Sequence, residues 1–166
     1  PIILDTVNEQ TYPWFLARLR EAGVTRVILC GLGSMYRDDG PVRASAAFRA
    51  HLARTAADFR ADGFEVAFWV NGFGHGAPLF HESGAERAVS RFTPLRGLDG
   101  REGAADLCPA DPAFRAAYAE GLKILAGMHP DLIMLDDDFR TSIHGGDEHL
   151  CCACPTHMAR ISEIVG

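Results

Sequence analysis

The sequence has no apolar run near the ~20 residues of a membrane span, no basic stripe, and no glycine-rich GxGxxG turn after its first strand-like segment. The first absence argues against a membrane partner. The second, with a formal net charge of -6 and arginines scattered along the chain, argues against a nucleic-acid partner. The third argues against the dinucleotide-binding form of a doubly wound sheet. The first apolar run ends in Asp5-Thr6-Val7-Asn8, and Gly31-Leu32-Gly33, which is only a GxG, follows the second. Nor is there the spaced, even cysteine framework of a secreted disulfide scaffold: of five cysteines, three are packed into Cys151, Cys152 and Cys154. What remains is the composition of one globular domain, 48% hydrophobic and 23% charged over 166 residues, so a soluble protein is expected, located in the cytoplasm. Pro1 leads directly into Ile2-Ile3-Leu4 and the chain stops about two helical turns after Met158, so the whole of 1–166 is expected to be the N-terminal portion of a longer catalytic domain.

Taken in order, the chain alternates apolar runs with helical periodicity. Ile2-Ile3-Leu4 ends at Asp5, and a helix follows with Thr11 as its N-cap, Pro13 in its first turn, an apolar face of Trp14, Phe15, Leu16, Leu19 and Ala22, and Gly23 as its stop. Val27 to Cys30 is the second run; Phe48, Leu52, Ala56 and Phe59 mark the second helix, closed by Gly63. Glu65 to Val70 is the third strand. From Asn71 to Leu107 no periodicity emerges, and an insertion of that length in a compact domain reads as a functional loop. Asp111-Pro112 starts a third helix that ends at Gly127. Leu132 to Leu135, too short for a helix, reads as a buried fourth strand, and Thr156 to Val165 as a fourth helix. Four βα units without an intervening hairpin signal imply a parallel sheet with right-handed crossovers. Polar residues end every strand, so the fold expected is α/β, the first half of a (β/α)8 (TIM) barrel with strands near 2–6, 26–31, 65–70 and 132–136.

Reactive side chains concentrate after the fourth strand. Asp136, Asp137 and Asp138 stand where that strand leaves the core. Strand alternation sends Asp136 and Asp138 to one side, where two carboxylates sharing a pocket would raise one pKa and create an acid; a solvated strand end is the plain alternative. Arg140 and His144 follow directly. Cys152-x-Cys154-x-x-His157 has the tight spacing with which a loop and the first turn of a helix wrap a tetrahedral ion, with Cys108 as the fourth ligand, so structural zinc is the expected cofactor. Cys151 is expected to stay outside that shell and Cys30 to belong to the core. In the third loop Trp69, Asn71, Phe73 and His75 suit a sugar platform, or else Trp69 is barrel core and His75 an ordinary loop histidine.

Three motifs in order, Cys108-Pro109-Ala110-Asp111-Pro112, Asp136-Asp137-Asp138-Phe139 and Cys152-Ala153-Cys154-Pro155-Thr156-His157, resemble those of the glycoside hydrolase family 42 β-galactosidases and related clan A barrels. The resemblance covers roughly Cys108 to His157. It implies a carbohydrate substrate, an acid/base carboxylate at Asp138 with Asp137 in the place of the preceding Asn, and zinc ligands at Cys108, Cys152, Cys154 and His157. Three positions depart from the pattern: Asp138 and Asp137 stand where the family has Glu and Asn, and His157 stands for a Cys. Asp136 and Asp137 would tune or orient Asp138, while Asn71, His75, Arg140 and His144 would contact sugar hydroxyls. The family's nucleophile comes from a later strand, so this segment alone is expected to show no turnover, and its parent protein to form a homo-oligomer. Two rivals stand beside this: an enzyme binding Mg²⁺ or Mn²⁺ through Asp136, Asp138 and Asp5, and a non-catalytic carbohydrate-binding barrel.

Overall fold

The computed structural model describes residues 1–31, 46–70, 72, 92–136 and 152–166. Four strands, β1 (Ile2–Ile3), β2 (Arg26–Cys30), β3 (Glu65–Val70) and β6 (Leu132–Leu135), form one sheet in the order β1-β2-β3-β6. All three pairings are parallel. Helices α1 (Tyr12–Glu21), α2 (Ala46–Ala61), α3 (Pro112–Ala126) and α4 (Pro155–Val165) alternate with them, which is the arrangement of the first half of a (β/α)8 barrel. Among the described residues no helix is long and apolar enough to cross a membrane.

Register divides the sheet into two faces. Ile2 pairs with Leu29, Leu29 with Phe68 and Phe68 with Ile133, so one row of apolar side chains crosses the whole sheet on one side. Ile2, Leu29, Phe68 and their neighbours Val27, Val66 and Val70 are buried against Leu52, Ala56 and Phe59 of α2 and Leu125 of α3. The alternate residues, Ile28 with Ala67, Ala67 with Leu132, and Trp69 with Met134, line the opposite, inner face. Asp131 locks β6 to β3, its Oδ2 accepting from the Val66 N–H at 2.7 Å while its own N–H donates to Val66 O at 2.9 Å.

Gly23 and Gly63 stop α1 and α2 as expected. Both take positive φ, 66° and 90°, and the N–H of the next residue reaches back to the last turn, Val24 to Leu19 O at 2.9 Å and Phe64 to Phe59 O at 3.0 Å. This bonding satisfies carbonyls that the helix end would otherwise leave open and aims Val24 and Phe64 at the core. α3 ends before Gly127, and there the left-handed residue is His129.

Four expectations from the sequence are corrected and a fifth is refined. The first strand is only Ile2–Ile3, because β1 pairs with the last residues of β2 and the chain then turns through a 3-10 segment over Leu4–Thr6 that carries Asp5. Thr11 is the N-cap residue of α1, but its side chain makes no cap bond to the helix: the hydroxyl accepts from Asn8 N–H and donates to Thr6 O, and Asn8 Oδ1 accepts from the N–H groups of Gln10 and Thr11 in the turn that precedes the helix. Trp14 and Ala22 are exposed, and only Phe15, Leu16 and Leu19 of the expected α1 face pack on the core. The stretch before Leu107 is not without structure: β4 (Pro94–Arg96) and β5 (Glu102–Leu107) form an antiparallel hairpin. Finally, β6 is not buried. It is the outer strand of this sheet, bonded only to β3 among the described residues, with Leu132 42% and Leu135 50% exposed.

The core assigns stability to the α2–sheet contact. Phe59 is fully buried and packs on both Tyr12 and Phe64, at ring-centroid distances of 4.9 and 5.9 Å. Phe59→Ala is expected to cost about 3–5 kcal/mol in urea unfolding. Arg18→Ala, which removes only an exposed ion pair to Glu21, should change stability by less than about 1 kcal/mol in the same measurement.

Candidate metal centre

The Cys108 cluster is assembled from three separate pieces of chain. Cys108 directly follows β5, and its N–H donates to Thr93 O at 2.8 Å. Two residues after Pro109, Asp111 caps α3: one carboxylate oxygen accepts from Ala113 N–H at 2.7 Å and Phe114 N–H at 3.3 Å, the other from Thr93 N–H at 2.6 Å. Burial by itself would raise the Asp111 pKa, but these backbone donors hold it below the ordinary carboxylate range. One side chain thus ties the start of the hairpin to the start of α3, with Cys108 between. Cys154 is the residue before Pro155 at the head of α4, so His157 stands three residues on, in the first turn. Ala153 N–H donates to Arg96 O at 2.6 Å, laying the third piece along β4.

These pieces bring Cys108, Cys152, Cys154 and His157 together, with four potential ligand atoms that all lie within 4.8 Å of one another. Cys108 Sγ is 3.4 Å from Cys154 Sγ and 3.3 Å from His157 Nδ1, and Cys154 Sγ is 3.4 Å from that same nitrogen. The three sulfurs are buried and Leu95 of the hairpin packs on them. Ligands at metal–sulfur bonds of ~2.3 Å and tetrahedral angles stand roughly 3.8 Å apart, so the set is compact enough to hold one ion.

Each sulfur also accepts backbone N–H donors: Ala110 to Cys108, Arg96 and Cys154 to Cys152, and His157 to Cys154. Such donors stabilise thiolate, the form a metal needs. Burial pushes Cys108 up to about 12 and raises Cys152. Burial would raise Cys154 too, but the His157 N–H, the His157 ring and the thiols of Cys108 and Cys152 together bring it down to about 7. Cys154 is thus the most acidic of the three thiols, and the four residues are a Cys3His set capable of coordinating a metal ion.

Asp136 stands at the carboxyl end of β6, its N–H bonded to Val70 O at 2.9 Å. Asn71, His75, Asp137, Asp138, Arg140, His144 and Cys151 lie outside the described residues, as does Phe73. Among the described residues no acidic grouping joins Asp5 to Asp136, and the single grouping of metal-ligating side chains is the Cys3His set. Trp69 sits on the inner face, its indole N–H buried without an acceptor. A groove of about 910 Å³ between the β1–α1 connection and α2, lined by Asn8, Glu9, His51, Arg54 and Asp58 among others, contains none of the candidate catalytic, sugar-binding or metal-ligating residues.

The hairpin is the part of the centre that sequence reasoning missed. Its signal is Asp99-Gly100, a turn pair: Gly100 has a φ of 82°, its N–H donates to Gly97 O, and Asp99 Oδ1 accepts from Arg101 N–H.

Two expectations follow for the metal-free protein. Between pH 7 and 9, Zn²⁺ must displace the protons of Cys108 and Cys152, releasing about two per ion; below pH 7 Cys154 is protonated as well and the number rises toward about three. An indicator dye in weak buffer reads this directly. Cys108→Ser should abolish stoichiometric metal in elemental analysis, whereas Cys151→Ser should leave it unchanged.

No family model matches the chain, and neither a curated protein nor a solved structure matches it. The parallel sheet agrees with a half-barrel and singles out no family.

Proposed function

We propose that the protein acts on carbohydrate by glycoside hydrolase-type acid/base chemistry at the mouth of its barrel, with zinc in the Cys3His centre as a structural ion. The observation that carries this is the way the fourth strand and the cluster bracket one stretch of chain. Residues 137–151 leave from Asp136, which is bonded to β3, and end at Cys152, which is buried among the ligands. Both anchors belong to the scaffold, and the stretch between them carries Asp137, Asp138, Arg140 and His144. Carboxyl ends of parallel strands are where (β/α)8 enzymes do their chemistry.

In this proposal Asp138 protonates the leaving glycosidic oxygen and later takes a proton from water, and Asp136 and Asp137 tune or orient it. Arg140, His144, Asn71 and His75 bind sugar hydroxyls. Cys108, Cys152, Cys154 and His157 would hold the zinc, and with four protein ligands it would serve as a structural ion. The Mg²⁺ or Mn²⁺ alternative gains nothing from the described residues, since Asp5 is exposed in its 3-10 turn.

In the full-length parent protein, Asp138→Asn is expected to lower kcat/KM on chromogenic aryl glycosides by about 10²–10⁴ while leaving bound zinc unchanged. Unaltered kcat/KM in this variant overturns the role of Asp138. Failure of the full-length parent to hydrolyse any member of a panel of aryl glycosides overturns the hydrolase assignment.

A further inference from the structure

Cys108 and Cys154 are 46 residues apart in the chain, one directly following β5 and the other heading α4, yet their sulfurs stand 3.4 Å from each other. The backbone sets both. Cys108 is held by its N–H bond to Thr93 O, and Cys154 by the start of a helix whose first turn bonds back to its carbonyl, Met158 N–H to Cys154 O at 3.0 Å. Two cysteines bridge only where their side chains already face each other, and this pair does. The third sulfur is placed differently. Cys152 lies two residues before Cys154 on the same piece of chain, so a bond between those two would join no separate pieces. Its Sγ accepts the backbone N–H groups of both Arg96 and Cys154, whereas Cys108 and Cys154 each accept one, from Ala110 and His157. A disulfide sulfur is a weaker acceptor than a thiolate, so oxidation costs more hydrogen bonding at Cys152 than at the other two.

We propose that Cys108 and Cys154 form a reversible disulfide, so that the cluster has two alternative staples, a metal ion when reduced and a disulfide when oxidised. The oxidant is a small peroxide. The three sulfurs are at most 6% exposed and only His157 is half-buried, which keeps bulky disulfide reagents out. One thiolate attacks a peroxide oxygen and the O–O bond breaks, leaving a sulfenic acid and hydroxide. The other thiolate attacks that sulfur and expels a second hydroxide. Overall two thiolates, two protons and one hydrogen peroxide give one disulfide and two waters; the sulfurs lose two electrons and the peroxide oxygens gain them.

Oxidation removes two of the four ligands. Cys152 and His157 alone do not close a tetrahedral shell, so the ion leaves as the disulfide forms. Either staple joins the same places, the junction of β5 with α3 on one side and the head of α4 on the other. The joint therefore persists whether the protein meets metal and reductant or peroxide. This rests on the reading of the cluster as a structural metal centre, given above.

Hydrogen peroxide added to the zinc-loaded protein tests this without reference to turnover, read by a metal-sensitive dye and by peptide mapping without reduction. The expected result is one zinc released for every two thiols lost, with one linked pair of peptides carrying Cys108 and Cys154; dithiothreitol and zinc should restore the starting state. Cys152→Ser keeps both partners and should still form the link, whereas Cys154→Ser should leave Cys108 unlinked. The oxidised protein should unfold at a higher urea concentration than the reduced, metal-free protein, because the bond closes a long loop. A link from Cys152 to Cys154, a link through Cys151, or sulfinic acid with no link overturns the proposal, as do equal urea midpoints. Zinc-loaded protein that resists linkage removes the disulfide and leaves the metal centre standing. Protein that binds no stoichiometric zinc yet forms the link removes the metal centre and leaves the disulfide.

Discussion

Three buried sulfurs and an imidazole within one small volume are a demanding arrangement, and the carboxyl end of this fold depends on it. Thiolates desolvated together repel, and burial accordingly raises Cys108 and Cys152 while hydrogen bonds from His157 and the neighbouring thiols bring Cys154 down. Neutral thiols are a modest adhesive. A divalent ion held by these four side chains would neutralise most of the thiolate charge and join three pieces of chain into one unit. The pieces are the β4–β5 hairpin, the head of α3 and the head of α4, none of which shares the main core: Leu95 and the cysteines form an apolar cluster separate from the one around Phe59 and Phe68.

That separation explains the peculiar use of Asp111. A carboxylate that only capped α3 would spend its acceptors on Ala113 and Phe114. This one also takes the N–H of Thr93, whose carbonyl in turn accepts from Cys108. The hairpin is thereby docked on α3 before any ion is considered, and Phe92, stacked edge-on to Phe114 at 5.9 Å, adds apolar contact to the same junction. The metal centre is built on a joint that hydrogen bonding has already made.

The parallel half-barrel was legible in the sequence because each of its strands is an apolar run bounded by polar or turn residues, and because Gly23 and Gly63 announce helix ends that only a positive φ completes. The ligand set was legible for a different reason. Cys152, Cys154 and His157 lie close in sequence, and Cys108 starts a helix at the same end of the sheet. The hairpin was not legible through periodicity, since Glu102-Gly103-Ala104-Ala105-Asp106-Leu107 has little β propensity; it is held by Asp99-Gly100, Asp111 and the cluster, which are tertiary and turn features. The N-cap of α1 was placed correctly at Thr11, but that its hydroxyl turns back to Asn8 and Thr6 and makes no bond to the helix could not be read from the residue type. The exposure of β6 could not be read from four apolar residues, for a run of that kind marks an affinity for burial and says nothing of what supplies it.

The sheet and the cluster therefore solve two different problems for one stretch of chain. β6 is fixed by backbone pairing to β3 and by the reciprocal bonds of Asp131, so the point at which residue 136 departs is set by the strand register. A one-residue slip would exchange the inner and outer faces of β6, exposing Ile133 and Leu135 to the inner side, and the Asp131–Val66 pair opposes that slip. The point at which the chain returns, Cys152, is set by ligand geometry and by Ala153 bonding to Arg96. Both points thus belong to the described scaffold, one held by strand pairing and the other by the contacts of the Cys3His cluster, so two unrelated kinds of interaction fix the two places at which the chain leaves the scaffold and rejoins it.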